Sequence, residues 1–195
     1  MFIEAMREAL ELAKKAASQG DVPVGAIVLN PAGEIVGRGS NTREIDNDPM
    51  NHAEVVALRQ AAEASGSWRL DDHTLVVTLE PCTMCAGAAV QSRVERIVFG
   101  AFDDKAGAVG SLWDVVRDRR LPHRPEVVSG VLADESALLL SEFFKAQREH
   151  TISDVFELQV ILISVSCPSG RRCNSRKVVC VQAHRGFKSH RYRHK

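Results

Sequence analysis

The segment HTLVVTLEPCTMC, residues 73–85, constrains the fold more than any other stretch of this chain. Its first part is a nearly continuous run of leucine and β-branched residues, which is typical of a strand buried on both faces. Pro81 then ends the strand and starts a helix, because proline is well tolerated in the first turn of a helix. The segment therefore predicts a buried strand that leads directly into a helix.

Other strands and helices alternate around this unit. Apolar side chains at helical spacing, or in short runs bounded by turns, predict the following elements: helix 2–19, hairpin strands 24–29 and 34–39, helix 52–64, strands 73–80, 96–101 and 125–132, and helix 134–149. Such an alternation predicts a layered α/β domain.

The first residues of the chain are charged throughout and contain no apolar stretch of the kind found in secretion signals. The longest apolar run, residues 158–165, is far shorter than the roughly 18 residues needed to span a bilayer. We therefore expect a cytoplasmic protein with no membrane partner.

Charge is distributed unevenly along the 195 residues. Residues 1–157 hold all 25 acidic groups and 16 Lys/Arg, whereas residues 158–195 hold nine Lys/Arg and no acid. The helical spacing also stops near Thr151. We therefore predict a domain over 1–150 and a basic, disordered or irregular C-terminal extension over 151–195.

Three interpretations of this extension remain open. It adds nonspecific affinity for RNA phosphates, or it is an appendage without a function. In the third interpretation its four metal-type residues form a small zinc finger, although the aromatic residues usual in such fingers are missing; they are Cys167, Cys173, Cys180 and His184.

Two predicted helices begin at residues that can bind a metal. His52 stands at the start of one, and Cys82 begins the other, with Cys85 one turn later on the same face. Three protein ligands that leave a fourth position open are the pattern of catalytic zinc. At an N-cap the backbone is not helical, so His52 can turn toward the metal while Glu54 approaches the open position. Glu54 is then placed to accept a proton from a zinc-activated water and pass it to the leaving group.

At this point the chain resembles a known family. HAE (52–54) and PCTMC (81–85) match the H-x-E…P-C-x-x-C signature of zinc-dependent nucleobase deaminases, and the resemblance implies that family's zinc-activated water chemistry. Further segments are similar to the tRNA adenosine deaminases within it, in the same order and spacing: VPVGAIVL, GRGSNTRE, NDPMNHAE, LEPCTMCAGA, FGAFDDKAGAVGSL and GVLADESALLLSEFF.

The resemblance implies a three-layer α/β/α sandwich with a central mixed sheet. It implies Zn²⁺ bound by His52, Cys82 and Cys85, with Glu54 as the catalytic proton shuttle. It also implies four substrate contacts: Asn41 with the target base, the amide of Ala53 beside the water and base, Asp103 near the ribose, and Phe144 near the anticodon loop. The pattern evidence alone leaves Asn41 open as a turn cap, Asp103 as a solvated loop acid, and one of Phe143 and Phe144 as a core residue.

The implied reaction is hydrolytic deamination of the wobble adenosine of tRNA to inosine, by a homodimer that binds the anticodon stem-loop. Unpaired loop bases can be splayed into an active site without breaking a duplex. Two alternatives stay open. One is a deaminase of a free base or nucleoside, guanine or cytosine, with the same zinc site. The other is a noncatalytic, zinc-stabilised RNA-binding protein, although a structural zinc usually has four protein ligands.

Overall fold

The computed structural model describes the backbone of residues 2–163 and the side chains of residues 2–149. In chain order, the elements within that range are α1 (Phe2–Ser18), β1 (Gly25–Leu29), β2 (Ile35–Ser40), α2 (Arg43–Asp46), α3 (Ala53–Ser65), β3 (Thr74–Leu79), α4 (Thr83–Gln91), β4 (Arg96–Ala101), β5 (Glu126–Val128) and α5 (Ala133–Ile163). None of the helices in this range is both long enough and apolar enough to cross a bilayer.

The strands form one mixed sheet with the order β2-β1-β3-β4-β5. β1 pairs antiparallel with β2 and with β3, whereas β3, β4 and β5 run parallel. Parallel neighbours need a crossover connection, and α4 supplies it between β3 and β4. The predicted α/β class with a central mixed sheet is confirmed.

Successive residues of the central strands point to opposite faces of the sheet, as the pleat requires. In β3, Val76 packs on the side of α1, whereas Leu75 and Val77 pack on the side of α3 and α4. Both faces are thus covered, which explains why the sequence of β3 is apolar throughout rather than alternating.

A close approach of α3 to β2 fixes the start of this helix. A side chain at Gly39 would overlap the carbonyl oxygen of Ala53, so only glycine lets the first turn of α3 lie this close to the strand. The residue before that turn is His52, and its position therefore depends on the contact between helix and sheet.

Several segments that carry candidate site residues meet at one edge of the sheet. The parallel strands β3 and β4 end there, followed by Glu80 and by Phe102. β1 is antiparallel to β3, so its beginning lies at the same edge, and Gly25 pairs with Ser40 at the end of β2. The residues just outside these strand ends are therefore neighbours in space, although they are far apart in sequence.

The structure departs from the predicted elements at three places. Residues 43–46 form the short helix α2, where no element was predicted, and β5 is only three residues long instead of spanning 125–132. α5 continues to Ile163 instead of ending at Glu149. Residues 150–163 contain neither proline nor glycine, so nothing in the local sequence stops the helix there.

The length of α5 bears on the expected C-terminal extension. Residues 151–163 are helical, which differs from the irregular structure predicted from residue 151 onward. The chain divides into a compact unit Met1–Asp154 and a second unit Val155–Lys195, described only as helical backbone to Ile163. The division near residue 150 stays a prediction. The proposed tail zinc ligands, Cys167, Cys173, Cys180 and His184, lie outside the described residues.

Candidate active site

His52 and Cys82 occupy the same local position in two different helices. His52 is the N-cap of α3 and has φ −76° and ψ 148°, and Cys82 is the N-cap of α4 with φ −70° and ψ 175°. Both backbones are extended, so each side chain leaves its helix axis and turns toward the other helix. The predicted placement of His52 at an N-cap is confirmed.

The three metal-type side chains come together with a spacing that suits zinc. His52 Nδ1 lies 3.7 Å from Cys82 Sγ and 3.5 Å from Cys85 Sγ. Bond lengths of about 2.3 Å to sulfur and about 2.05 Å to nitrogen, at a tetrahedral angle, separate the two ligand atoms by about 3.6 Å. His52, Cys82 and Cys85 therefore form a group that can hold a zinc ion.

The electrostatics of this group favour the thiolate form of Cys82. The hydrogen bond from the Cys85 thiol, with a further contribution from His52, lowers the pKa of Cys82 to about 4. The same hydrogen bond, together with burial, raises the pKa of Cys85. The positive ends of α3 and α4 add favourable partial charge beside the thiolate.

Glu54 lies in the first turn of α3, next to this group. Its side chain is buried, with only 4% of the residue exposed, and burial raises the pKa of its carboxyl to about 7. Glu54 also lines a cavity of about 130 Å³ that His52 and Cys82 border. A carboxyl group with a pKa near neutrality can both accept and donate a proton under ordinary conditions.

Asn41 lines the same cavity and is 5% exposed. Its Nδ2 donates a hydrogen bond of 3.4 Å to Oδ1 of the buried Asp21. Asp21 also accepts a hydrogen bond of 2.9 Å from the backbone N–H of Glu44. The Asn41 amide is therefore held by Asp21 and does not cap α2, whose N-cap is Thr42.

Asp103 begins the loop that follows β4 and borders the cavity. Its Oδ1 accepts hydrogen bonds from the backbone N–H groups of Lys105, at 2.9 Å, and Ala106, at 3.2 Å. Within the described part of the chain, Oδ2 has no hydrogen bond. The side chain thus both caps a turn and keeps one carboxylate oxygen for another partner.

A second cavity, of about 370 Å³, lies beside the first and shares Asp103 with it. Phe144 of α5 lines it and is 43% exposed, whereas Phe143 is half-buried and contacts Phe144 edge to face. Phe102 lines this cavity as well and is 57% exposed. The sequence interpretation missed Phe102, although an aromatic residue immediately before the candidate Asp103 was a signal that could have found it.

Ala53 supplies a backbone group rather than a side chain. It is fully buried in the first position of α3. The first N–H groups of a helix have no acceptor within the helix. The backbone N–H of Ala53, the residue after His52, therefore makes no hydrogen bond within α3. The same holds for the amide of Cys82 at the start of α4.

The fold and the three-ligand group agree with comparisons to known proteins. Residues 3–101 match the sequence profile of the cytidine and deoxycytidylate deaminase zinc-binding region. The chain therefore belongs to this family of zinc-binding deaminases. The tRNA-specific adenosine deaminase of Bacillus subtilis (strain 168) is 50% identical over 145 residues, which are 74% of this chain and 89% of that protein.

Two solved structures are similar as well. A tRNA:A34 deaminase, studied for A-to-I editing at the wobble position of transfer RNA, has 40% sequence identity and a TM-score of 0.68, covering 70% of this chain and 99% of its own. The guanine deaminase from Nitrosomonas europaea has 26% identity and a TM-score of 0.62, covering 72% of this chain and 83% of its own.

Proposed function

We propose that this protein converts adenosine to inosine at the wobble position of a tRNA anticodon loop. The observation that carries the proposal is the buried Glu54 beside three zinc-type ligands in the wall of a small cavity. The similarity to proteins named for this activity, along about three quarters of the chain, supports the choice of substrate.

His52, Cys82 and Cys85 would hold the zinc ion, and their count of three leaves room for a water ligand. When bound, zinc lowers the pKa of such a water toward about 7, which makes it a nucleophile at neutral pH. Two cysteine thiolates offset the charge of the ion, and the positive ends of α3 and α4 stabilise those thiolates.

Glu54 moves the protons. Water adds to C6 of adenine and ammonia leaves, so that adenosine and water become inosine and ammonia. Glu54 accepts a proton from the attacking water and passes it to a ring nitrogen. It then takes the proton of the new hydroxyl on C6 and gives it to the departing amino group. Its pKa near 7 suits both directions of transfer.

The lining of the two cavities supports the substrate contacts that we propose. In the smaller one, the side-chain amide of Asn41 faces the base edge and the backbone N–H of Ala53 lies beside the reacting carbon. Oδ2 of Asp103 accepts a hydrogen bond from the ribose. In the larger cavity, Phe144 stacks on a neighbouring base, a contact typically worth about 1–3 kcal/mol.

The second partner that we propose is another copy of this chain. An apolar depression of about 300 Å³ lies between α3 and α4, and Trp68 at its border is 63% exposed. An exposed apolar patch of this kind marks an interaction site in many proteins, and self-association of one surface gives a closed twofold dimer. α3 and α4 also carry the zinc ligands, so a dimer would brace the helices of the active site.

We further propose that the protein acts in the cytoplasm, where tRNA is available, and that residues 151–195 are a basic extension outside the catalytic domain. Nine Lys/Arg and no acid lie in its residues 158–195, a charge balance that suits contacts with RNA phosphates.

A direct assay tests the proposed function. The zinc-loaded protein is incubated with a synthetic anticodon stem-loop that carries adenosine at the wobble position, and nucleosides are quantified by mass spectrometry after digestion. We expect inosine to form, and to form only when the three zinc-type ligands and Glu54 are all present. Zinc binding without inosine on any tRNA would instead support a noncatalytic RNA-binding protein.

Free-base deamination is a second candidate, because the guanine deaminase of Nitrosomonas europaea shares the fold. The same assay with free guanine, cytosine and adenosine separates the two. If free guanine is turned over faster than the stem-loop, the substrate is a small molecule and the proposal of tRNA is wrong.

A further inference from the structure

Glu80 is a buried carboxylate outside the group of zinc-type ligands. It follows β3 directly, and only 2% of the residue is exposed. A buried carboxylate costs several kcal/mol unless hydrogen bonds replace its hydration. The partners of Glu80 among the described residues are hydrogen-bond donors of a single loop, and none of them is a cation.

That loop runs over 103–111, and four of its donors converge on Glu80. Oε1 accepts from the backbone N–H of Val109, at 2.9 Å, and of Ser111, at 3.0 Å. Oε2 accepts from the backbone N–H of Asp103, at 3.2 Å, and from the Ser111 hydroxyl. The carboxylate therefore joins the two ends of the loop.

The middle of the loop closes over the same carboxylate. A side chain at Gly107 would overlap the carboxylate of Glu80, and Gly107 also forms a backbone bridge to Cys82. The backbone N–H of Ala108 donates to the carbonyl of Pro81, at 2.8 Å. The loop is thus folded around Glu80 and lies against Pro81 and Cys82, the two residues directly before α4.

Two residues of this loop, Asp103 and Ala106, border the cavity beside the zinc-type ligands. We infer that Glu80 is a positioning residue, which holds the loop and thereby sets Asp103 for the substrate. The inference rests on the proposed function, because Asp103 has a role only if a ribose-bearing substrate enters this cavity.

The chemistry requires a carboxylate rather than an amide. A carboxylate presents acceptors only, which matches the four donors of the loop. In a Glu80→Gln variant the amide oxygen can still accept the hydrogen bonds from the backbone N–H groups of Val109 and Ser111. The amide nitrogen then faces the backbone N–H of Asp103, and two donors cannot form a hydrogen bond with each other. The variant should therefore loosen the loop at Asp103 while its other end stays in place.

The test compares the full-length, zinc-loaded protein with the Glu80→Gln variant. For the stem-loop we expect KM to rise about tenfold with a smaller change in kcat, because one buried N–H loses its acceptor. Hydrogen exchange should accelerate in the loop over 103–111, with zinc content close to that of the parent. Glu34→Gln is the matched control, since Glu34 also binds a loop residue, Asn30, but is exposed and far along the sheet.

A double-mutant cycle with Asp103→Ala decides whether Glu80 acts through Asp103. In the Asp103→Ala background the Glu80→Gln change should leave KM nearly unaltered, whereas additive effects would overturn the inference. Unchanged hydrogen exchange in the loop, or loss of zinc, would overturn it too. Ser111→Ala, which removes one donor, is a milder variant and should shift exchange in the same direction.

The exchange measurement also separates this inference from the proposed function. If the parent protein forms no inosine, the proposed substrate is wrong. Hydrogen exchange in the loop over 103–111 can be measured without turnover. Its change in Glu80→Gln therefore still reports whether Glu80 holds the loop.

Discussion

His52 Nδ1 and Cys82 Sγ lie 3.7 Å apart, although 30 residues separate them in the chain, and each residue is the N-cap of its own helix. An N-cap residue has an extended backbone, so its side chain can point across to another helix instead of along its own. The pairing of two helix starts thus creates a metal-type group while leaving the first turn of α3 available for Glu54.

Replacement of Glu54 by glutamine should stop deamination. The amide keeps the size of the side chain but cannot accept a proton, so we expect kcat to fall by about 10²–10⁴ with zinc content and Tm retained. Kinetics on the stem-loop and elemental analysis check this. Glu63→Gln, on the exposed face of the same helix, is the control. Turnover within tenfold of the parent would refute the role of Glu54.

Replacement of Cys85 by serine should remove zinc and activity together. A hydroxyl is a poor substitute for a thiolate, and two remaining ligands hold zinc weakly. Elemental analysis should give about one zinc per chain for the parent and much less for the variant. Cys180→Ser is the control, and its zinc content should equal that of the parent. If the parent instead holds a second zinc that this variant loses, residues beyond the described range bind metal.

The local features of the site could be predicted from sequence, since helix starts, proline and the C-x-x-C spacing act within a few residues. The network around Glu80 could not, because its partners are 23 to 31 residues away and three of the four are backbone N–H groups, which nearly every residue carries. From sequence, Glu80 was only the last residue of the predicted strand 73–80, directly before Pro81. The helix α2 was missed because four residues leave too little periodicity to detect.

Asp21 offers a test of how Asn41 is held. Asp21 is buried and accepts hydrogen bonds from the side-chain amide of Asn41 and the backbone of Glu44. In Asp21→Asn the new amide can turn a donor toward Asn41, so the Asn41 side chain loses its fixed orientation. We expect KM for the stem-loop to rise several-fold and stability to fall by about 1–3 kcal/mol. Steady-state kinetics and thermal unfolding measure both.

The control for this variant is Asp46→Asn, because Asp46 is exposed and binds the side chain of Asn51. It should change neither KM nor Tm. If Asp21→Asn lowers Tm but leaves KM at the parent value, then Asn41 does not need Asp21 to meet the substrate.

Trp68 should control the oligomeric state. Replacing this exposed indole at the apolar depression between α3 and α4 with glutamate puts a charge where the second copy would pack. We expect the parent to sediment as a dimer and Trp68→Glu as a monomer at the same concentration. Trp113→Glu, at another exposed tryptophan, is the comparison. A parent that is monomeric at tens of micromolar would exclude the proposed dimer.

The C-terminal residues provide the last prediction. A chain that ends at Ile163 keeps all of α5 and loses every Lys/Arg of the basic extension. It should retain kcat at saturating stem-loop, since Glu54 and the zinc-type ligands are untouched. If the extension binds phosphates, tRNA affinity should fall, and its logarithmic salt dependence should flatten by roughly 0.7–0.9 per lost contact. A full-length variant with the nine Lys/Arg changed to glutamine separates charge from chain length. An unchanged salt slope in both proteins would show that the extension makes no phosphate contact, whereas a collapse of kcat in the shortened chain alone would place part of the catalytic domain beyond Ile163.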